Sequence, residues 1–353
     1  MNHLFEDFTL KGKRAPNRLM LPPMLTRRDD RELNGRADAG HVAHYGARAR
    51  GGAGLVVVEC TAIAPKARLG RGELGLWEDG QIEGMAAIAQ AVKAAGSLCF
   101  VQLHHAGFKA AATVTDDLTA PSDCEKDGRK ARALRAEEIE TIIGQFVVAA
   151  RRAYAAGMDG VELHGCHEYL LNEFTSPTYN TRTDAYAGYA LPLKVLRAVK
   201  TALPEDFIVG YRMGVNDNDF DAGVKLARAL EQAGADYLSV SAGLGPVPES
   251  VPEDFGYNWF VYGASLVHAA VKVPVVAVNS IRTPEQAQGV IARDLADIVA
   301  VGRAFLADEN FGARARAGEP VNPCYGCPGG CNWLKGRECP ALLMAKRKEK
   351  DHV

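Results

Sequence analysis

The stretch Gly157–Met158–Asp159–Gly160–Val161–Glu162–Leu163–His164–Gly165–Cys166–His167–Glu168–Tyr169 carries both the local fold and the densest chemistry of the chain. Gly157 suits the left-handed residue that ends a helix, and Gly160–His164 reads as a short buried strand bounded by glycine. The strand then runs straight into imidazoles, a thiol and a phenol. The same grammar repeats outward in both directions. Strands are predicted at Arg18–Pro22, Gly54–Thr61, Leu98–Leu103, Gly160–His164, Ile208–Met213, Tyr237–Ser241, Val275–Val278 and Ile298–Val301. Amphipathic helices are predicted between them, at Ala39–Arg50, Gln81–Ala95, Ala136–Ala156, Leu191–Ala202, Ala222–Ala233, Ala264–Val271 and Pro284–Ala292. Strict alternation implies a parallel sheet with helices on its faces, and about eight units favour a closed (β/α)8 TIM barrel over an open doubly wound sheet. The charged stretch Asp123–Glu138 reads as a solvated loop entering a helix, and Ala345–Lys350 as a short basic terminus.

The composition fits such a fold. Of 353 residues, 47% are hydrophobic and 24% charged, so a large core is affordable without disulfides. Lys+Arg is 41 and Asp+Glu is 43, a net charge of −2 that offers no footprint for nucleic acid or an anionic membrane. The apolar runs Gly54–Val58 and Phe146–Ala150 are too short to span a bilayer. Met1–Asp7 has neither a basic nor an apolar leader segment, so a cytoplasmic protein with reduced thiols is expected. Four cysteines are scattered (Cys60, Cys99, Cys124, Cys166), while Cys324, Cys327, Cys331 and Cys339 crowd the tail. In a reducing compartment such a cluster reads as metal binding before it reads as disulfides. Residues 1–320 are therefore expected to form the barrel and residues 321–353 a cysteine-rich extension.

Chemistry in such barrels sits at the carboxyl ends of the strands. That rule collects Pro23 and Met24, Glu59 and Cys60, Gln102 with His104 and His105, His164 with Cys166, His167 and Tyr169, Arg212, Ser241 and Gly243, Asn279 and Ser280, and Gly302 and Arg303. The last two strands of such barrels commonly hold phosphate, and the Asn279–Arg282 amides, Gly302 and the Arg303 guanidinium suit a dianion. Two imidazoles three residues apart, then a phenol, can address one substrate oxygen and its neighbouring carbon; a zinc site through His164, Cys166 and His167 is the competing reading. His41 and His44, on the first helix, read as structural. Gly70-x-Gly72-x-x-Gly75 matches a dinucleotide fingerprint only as a string, because it does not open a helix after a strand.

Longer motifs resemble the old yellow enzyme family. They are Pro23–Met24, Arg48–Ala49-x-Gly51–Gly52–Ala53–Gly54–Leu55, Gln102–Leu103-x-His105–Ala106–Gly107, Gly157-x-x-Gly160–Val161–Glu162–Leu163–His164–Gly165, Tyr169–Leu170–Leu171-x-Glu173–Phe174-x-Ser176–Pro177-x-x-Asn180-x-Arg182–Thr183–Asp184-x-Tyr186 and Gly302–Arg303-x-Phe305–Leu306–Ala307–Asp308. The tail, Cys324-x2-Cys327-x3-Cys331-x7-Cys339–Pro340, resembles the iron–sulfur branch that includes 2,4-dienoyl-CoA reductase, 2-enoate reductase and trimethylamine dehydrogenase, with a shorter final gap. Four thiolates also suit structural zinc.

The resemblance implies FMN across the barrel mouth. Pro23, Met24, Leu25 and Cys60 would line its ring, Gln102 its pyrimidine edge and Arg212 its N1/O2 side. Asn279, Ser280, Gly302 and Arg303 would hold its phosphate. It implies that His164 and His167 bind a carbonyl oxygen, and that Tyr169 donates the proton that completes reduction of an activated C=C bond in an α,β-unsaturated carbonyl or enoyl thioester. It further implies a [4Fe-4S] cluster on Cys324, Cys327, Cys331 and Cys339. NAD(P)H is the expected direct or indirect donor. Because the chain ends at Val353, a separate electron-donor protein (a reductase subunit, ferredoxin or flavoprotein) is expected, as is a homo-oligomer. Leu25 replaces the family's frequent Thr or Cys, Asn279–Ser280 replaces Gly-Gly, and Cys60 replaces Gly or Ala. Two other readings are an amine dehydrogenase or N-demethylase passing electrons outward, and a non-redox barrel with a zinc tail. The loop Gly243–Tyr262, rich in aromatics and including Pro248, is expected to cap the pocket or simply to pack.

Overall fold

The computed structural model describes residues 3–26, 34–247 and 251–351. Eight strands close into one parallel barrel. They are β1 (Leu19–Leu21), β2 (Leu55–Ala62), β3 (Leu98–His104), β4 (Gly160–Gly165), β5 (Ile208–Gly214), β6 (Tyr237–Ser241), β7 (Val275–Val278) and β8 (Ile298–Ala300). Each matches its predicted run to within one residue at either end. Burial on both faces makes these runs continuous apolar stretches rather than alternating ones. Their outer side chains pack under the surrounding helices. Their inner ones, including Met20, Val57, Phe100, Ile208, Tyr237 and Ile298, fill the barrel. A Cβ on Gly210 would come within 2.1 Å of the Tyr237 ring, so that glycine makes room for the aromatic core.

Two local readings are corrected, and one element that carried no reading is added. The charged stretch holds strands Cys124–Lys126 and Arg129–Ala133, joined through Asp127 and Gly128, both at positive φ, and paired with Thr119–Ala120. Asp-Gly with both residues left-handed is a hairpin signal that the run of charges obscured. Ala131 is buried there against Phe108 and Ala120, and its cross-strand neighbour Cys124 packs on the same cluster. A second hairpin, Phe8–Leu10 with Lys13–Ala15, turns through Lys11 and Gly12. Phe8, Leu10 and Ala15 join the cluster inside the barrel and plug its amino-terminal end. The helix expected at Ala264–Val271 spans Trp259–His268 instead, because the Asn258 side chain accepts from the amides of Phe260 and Val261 and caps it five residues earlier.

Beyond the helix Phe311–Ala317 the chain continues through a 3-10 turn, Trp333–Lys335, to a last helix, Pro340–Asp351. Trp333 Nε1 donates to Leu25 O at 2.9 Å and its ring stacks on His44, so the extension is fastened to the loop after β1. His41 serves the first helix, bonding to the cap residue Asp38. Among the described residues no helix is long and apolar enough to cross a membrane.

Candidate active site

Strand register sets the polar side chains in two successive layers. Cys60 pairs with Gln102, Gln102 with Glu162, and His164 with Arg212. A bulge between Val58 and Cys60 puts Cys60 in the first of these layers and turns Glu59 toward the first helix. Inside that layer, Glu162 accepts from Gln102 Nε2 at 2.8 Å and from Tyr237 Oη at 3.1 Å. Burial raises its pKa, and the nearby Arg212 guanidinium opposes that rise. Arg212 is itself buried and its Nε has no partner among the described residues.

His164, His167 and Tyr169 converge above Arg212. The Tyr169 ring meets His164 edge-on at 4.6 Å and His104 at 5.0 Å. Lys109 Nζ stands 5.6 Å over the Tyr169 ring and donates to His167 O at 3.0 Å. His167 and Glu168 both take positive φ, 62° and 63°, a cost that recurs where side chains must be aimed. The two imidazoles bond to each other, with His164 Nε2 and His167 Nδ1 3.1 Å apart, and His167 Nε2 lies 2.7 Å from Ser241 Oγ. Thus both nitrogens of His167 are engaged, and His164 Nδ1 is the buried ring nitrogen of the pair without a partner among the described residues. Burial, with Arg212 and other cationic neighbours adding to it, holds both rings neutral. Burial pushes the Cys166 thiol up, and His164, Cys166 and His167 offer ligand atoms all within 4.8 Å of one another, the spacing that the zinc reading of this triplet requires.

The phosphate-like corner forms as a unit. Arg303 Nη2 donates to Ser280 Oγ at 3.1 Å, and Ser280 Oγ donates to Asn279 Oδ1 at 3.0 Å. Asn279 and Ser280 have φ of 88° and 58°, so this chain holds with ordinary residues a conformation that glycine adopts freely. A Cβ on Gly302 would lie 2.9 Å from Met24 Sδ, so the loop after β1 packs tightly on the end of β8. Beside Arg303 opens a cavity of about 240 Å³ lined by all four tail cysteines together with Arg282 and Asn332. Cys339, the ligand with the unusual spacing, immediately precedes the helix starting at Pro340 and faces the same space as the other three.

One residue at the mouth, Glu73, went unread in the sequence. Glu73, in the glycine-rich loop 70–75, touches the ring of His104, and both are buried. That loop opens no helix, as expected. Glu73 and Glu59 line a larger cavity of about 700 Å³ with Leu25, Arg71 and Lys335. Of the described part of the 243–262 loop, Tyr257 donates to Gln286 O and both Phe255 and Tyr257 lie against Arg293, so these rings are spent on packing. Pro248 lies outside the described residues.

Glu59 makes a measurable prediction. Burial raises its pKa to about 7, although Thr26 donates to it from both its amide and its hydroxyl. Between the ordinary value of 4.5 and 7 the folded chain keeps a proton that the unfolded chain has released. The folded state binds more protons, so stability falls as pH rises through that window. Urea unfolding at stepped pH is expected to show wild type losing about 3 kcal/mol relative to Glu59→Gln between pH 4.5 and 8.

Comparison with known proteins adds an independent line. The model of the NADH:flavin oxidoreductase / NADH oxidase family matches residues 3–322. An NADH oxidase of Thermoanaerobacter brockii is 35% identical over 348 residues, covering 93% of this chain but 53% of the relative. The chain thus spans about half the length of that protein. An NADPH dehydrogenase of Halalkalibacterium halodurans is 34% identical over 319 residues, 87% of this chain and 92% of the relative. The solved structure of an old yellow enzyme homologue from Zymomonas mobilis superposes with a TM-score of 0.79 at 27% identity, covering 92% of this chain and 95% of that one.

Proposed function

The chain belongs to the NADH:flavin oxidoreductase / NADH oxidase family, and from that premise we propose that it is an FMN-dependent ene reductase acting on α,β-unsaturated carbonyl compounds. The observation that carries this reading is the convergence of His164 Nδ1, the Tyr169 phenol and the Arg212 guanidinium at one barrel mouth. Two of these groups, His164 Nδ1 and Arg212 Nε, are buried polar atoms without partners among the described residues, as expected of positions that a ligand completes.

The residues present fit the cofactor. Asn279, Ser280, Gly302 and Arg303 would hold the phosphate, Met24, Leu25 and Cys60 the ring, and Gln102 and Arg212 its polar edge. FMN bound there would supply hydride chemistry to the site. His164 and His167 are the proposed pair at the carbonyl oxygen, where negative charge grows; His164 Nδ1 faces the site directly, while the His167 nitrogens rest 3.1 Å from His164 and 2.7 Å from Ser241. Tyr169 gives its phenolic proton to the α-carbon. Arg212 keeps a fixed positive charge under the site.

The tail cavity fits a [4Fe-4S] cluster, which when bound supplies one-electron exchange; Cys324, Cys327, Cys331 and Cys339 would be its ligands. A separate electron-donor protein is the proposed source for that route. The names of the relatives favour NADH or NADPH as a direct donor to the flavin. Anaerobic mixing of the purified FMN-loaded protein with NADPH, then with 2-cyclohexenone, tests both halves. Flavin absorbance is expected to bleach and then return. A flavin that bleaches and does not return with any enone ends the ene-reductase reading. A flavin that only a reduced ferredoxin can bleach moves the donor to the cluster.

A further inference from the structure

The cavity in the tail is walled by sulfur and by cations. With Cys324, Cys327, Cys331 and Cys339 stand Arg282 and Arg303, and no carboxylate lines it among the described residues. The two arginines are placed differently. Arg303 Nη2 donates to Ser280 Oγ at 3.1 Å, in the corner assigned to phosphate. The amide of Arg282 is spent on Gln286 Oε1 at 2.8 Å, and its side chain reaches the cysteine loop.

The chain makes room for that reach. Gly326 sits between Cys324 and Cys327 at φ 60°, and a Cβ there would lie 2.8 Å from Arg282 Nη1. Arg282 Nε is buried and has no partner among the described residues. A buried guanidinium nitrogen left in this state beside four thiols is a donor that an occupant of the cavity would complete. A second donor, Asn332 Nδ2, lies 3.9 Å from Cys327 Sγ, a reach that suits an N–H bond to the larger sulfur atom.

An iron–sulfur core held by four thiolates is an anion, and one-electron reduction makes it more negative. A fixed cation in the wall stabilises the reduced state more than the oxidised one, and hydrogen bonds to the sulfurs act in the same direction. We infer that Arg282 sets the reduction potential of the tail cluster, its guanidinium facing the cysteine sulfurs and holding the potential up, with Asn332 adding to it at Cys327. This rests on the [4Fe-4S] reading of the tail. It also divides the work of the two guanidiniums: Arg303 serves the phosphate corner, and Arg282 serves the sulfurs.

The test poises holoenzyme at stepped potentials and reads the reduced cluster by electron paramagnetic resonance. Arg282→Gln keeps hydrogen-bond donors and removes the charge. It is expected to hold iron and sulfide at the wild-type content and to lower the equilibrium constant for one-electron reduction about tenfold, a fall of about 59 mV in midpoint potential. Arg282→Lys, which keeps the charge, should titrate nearer to wild type than to Arg282→Gln, and Asn332→Ala should fall by less than Arg282→Gln. Full iron and sulfide in Arg282→Gln with an unmoved potential overturns the inference, as does an Arg282→Lys that falls equally far. Should Arg282→Gln assemble no cluster, the other two variants decide: a lowered potential in Asn332→Ala alone upholds the inference, and any other pattern overturns it. Wild type that holds zinc, or neither iron nor sulfide, removes the cluster reading itself, and the inference falls with it.

Discussion

Tyr169→Phe is expected to leave reduction of the flavin by NADPH at its wild-type rate and to slow reoxidation by 2-cyclohexenone about 10²–10⁴-fold. The substitution removes one oxygen and keeps the ring. That ring holds the contacts with His164 at 4.6 Å and His104 at 5.0 Å, so the pocket walls should stay where they are. The loss then reports proton delivery rather than collapse. Rapid-mixing absorbance under anaerobic conditions separates the two half-reactions. Unchanged reoxidation would take Tyr169 out of the chemistry and leave it a wall of the pocket.

The barrel was legible because its signals are redundant. Eight apolar runs, their glycine and proline borders and the intervening amphipathic helices all agree, and the register that sets Gln102 beside Glu162 and, one layer on, His164 beside Arg212 follows from closure. The two hairpins were less legible. Each is short and charged, and each is declared mainly by a turn, Lys11–Gly12 or Asp127–Gly128, whose left-handed residues carry the information. In the site, residue types and positions could be read, but the way they are wired could not. Nothing in the string says that His167 spends both nitrogens on His164 and Ser241, because that depends on the distance between the ends of β4 and β6. Trp333 likewise gives no sign of reaching Leu25, 308 positions away in sequence. Glu73 and His104 meet only because the 70–75 loop folds back over the end of β3.

The tail gives the other large effect. Cys339→Ser is expected to cost the protein its iron and acid-labile sulfide, from about four of each per chain toward none, while FMN stays bound. The reasoning runs from geometry. All four thiols line one cavity of about 240 Å³, with Arg282 and Arg303 in its wall. Burial raises the Cys339 thiol first of all, but the amides of Ala341 and Leu342 point back at the sulfur and favour its thiolate. A serine oxygen keeps the shape of that corner and makes a poorer ligand for soft iron. Iron and sulfide analysis, with electron paramagnetic resonance of the reduced protein, reads the outcome. Equimolar zinc without sulfide in wild type would replace the redox cluster by a structural ion. Full iron and sulfide in Cys339→Ser would free Cys339 from ligation and pass its place to another group. Because Arg303 stands in the wall of this cavity and also bonds to Ser280, the two sites share one guanidinium. A single-electron route between them would therefore begin within one side chain's length of the phosphate corner, and Cys339→Ser should abolish reduction of the flavin by reduced ferredoxin while leaving reduction by NADPH intact.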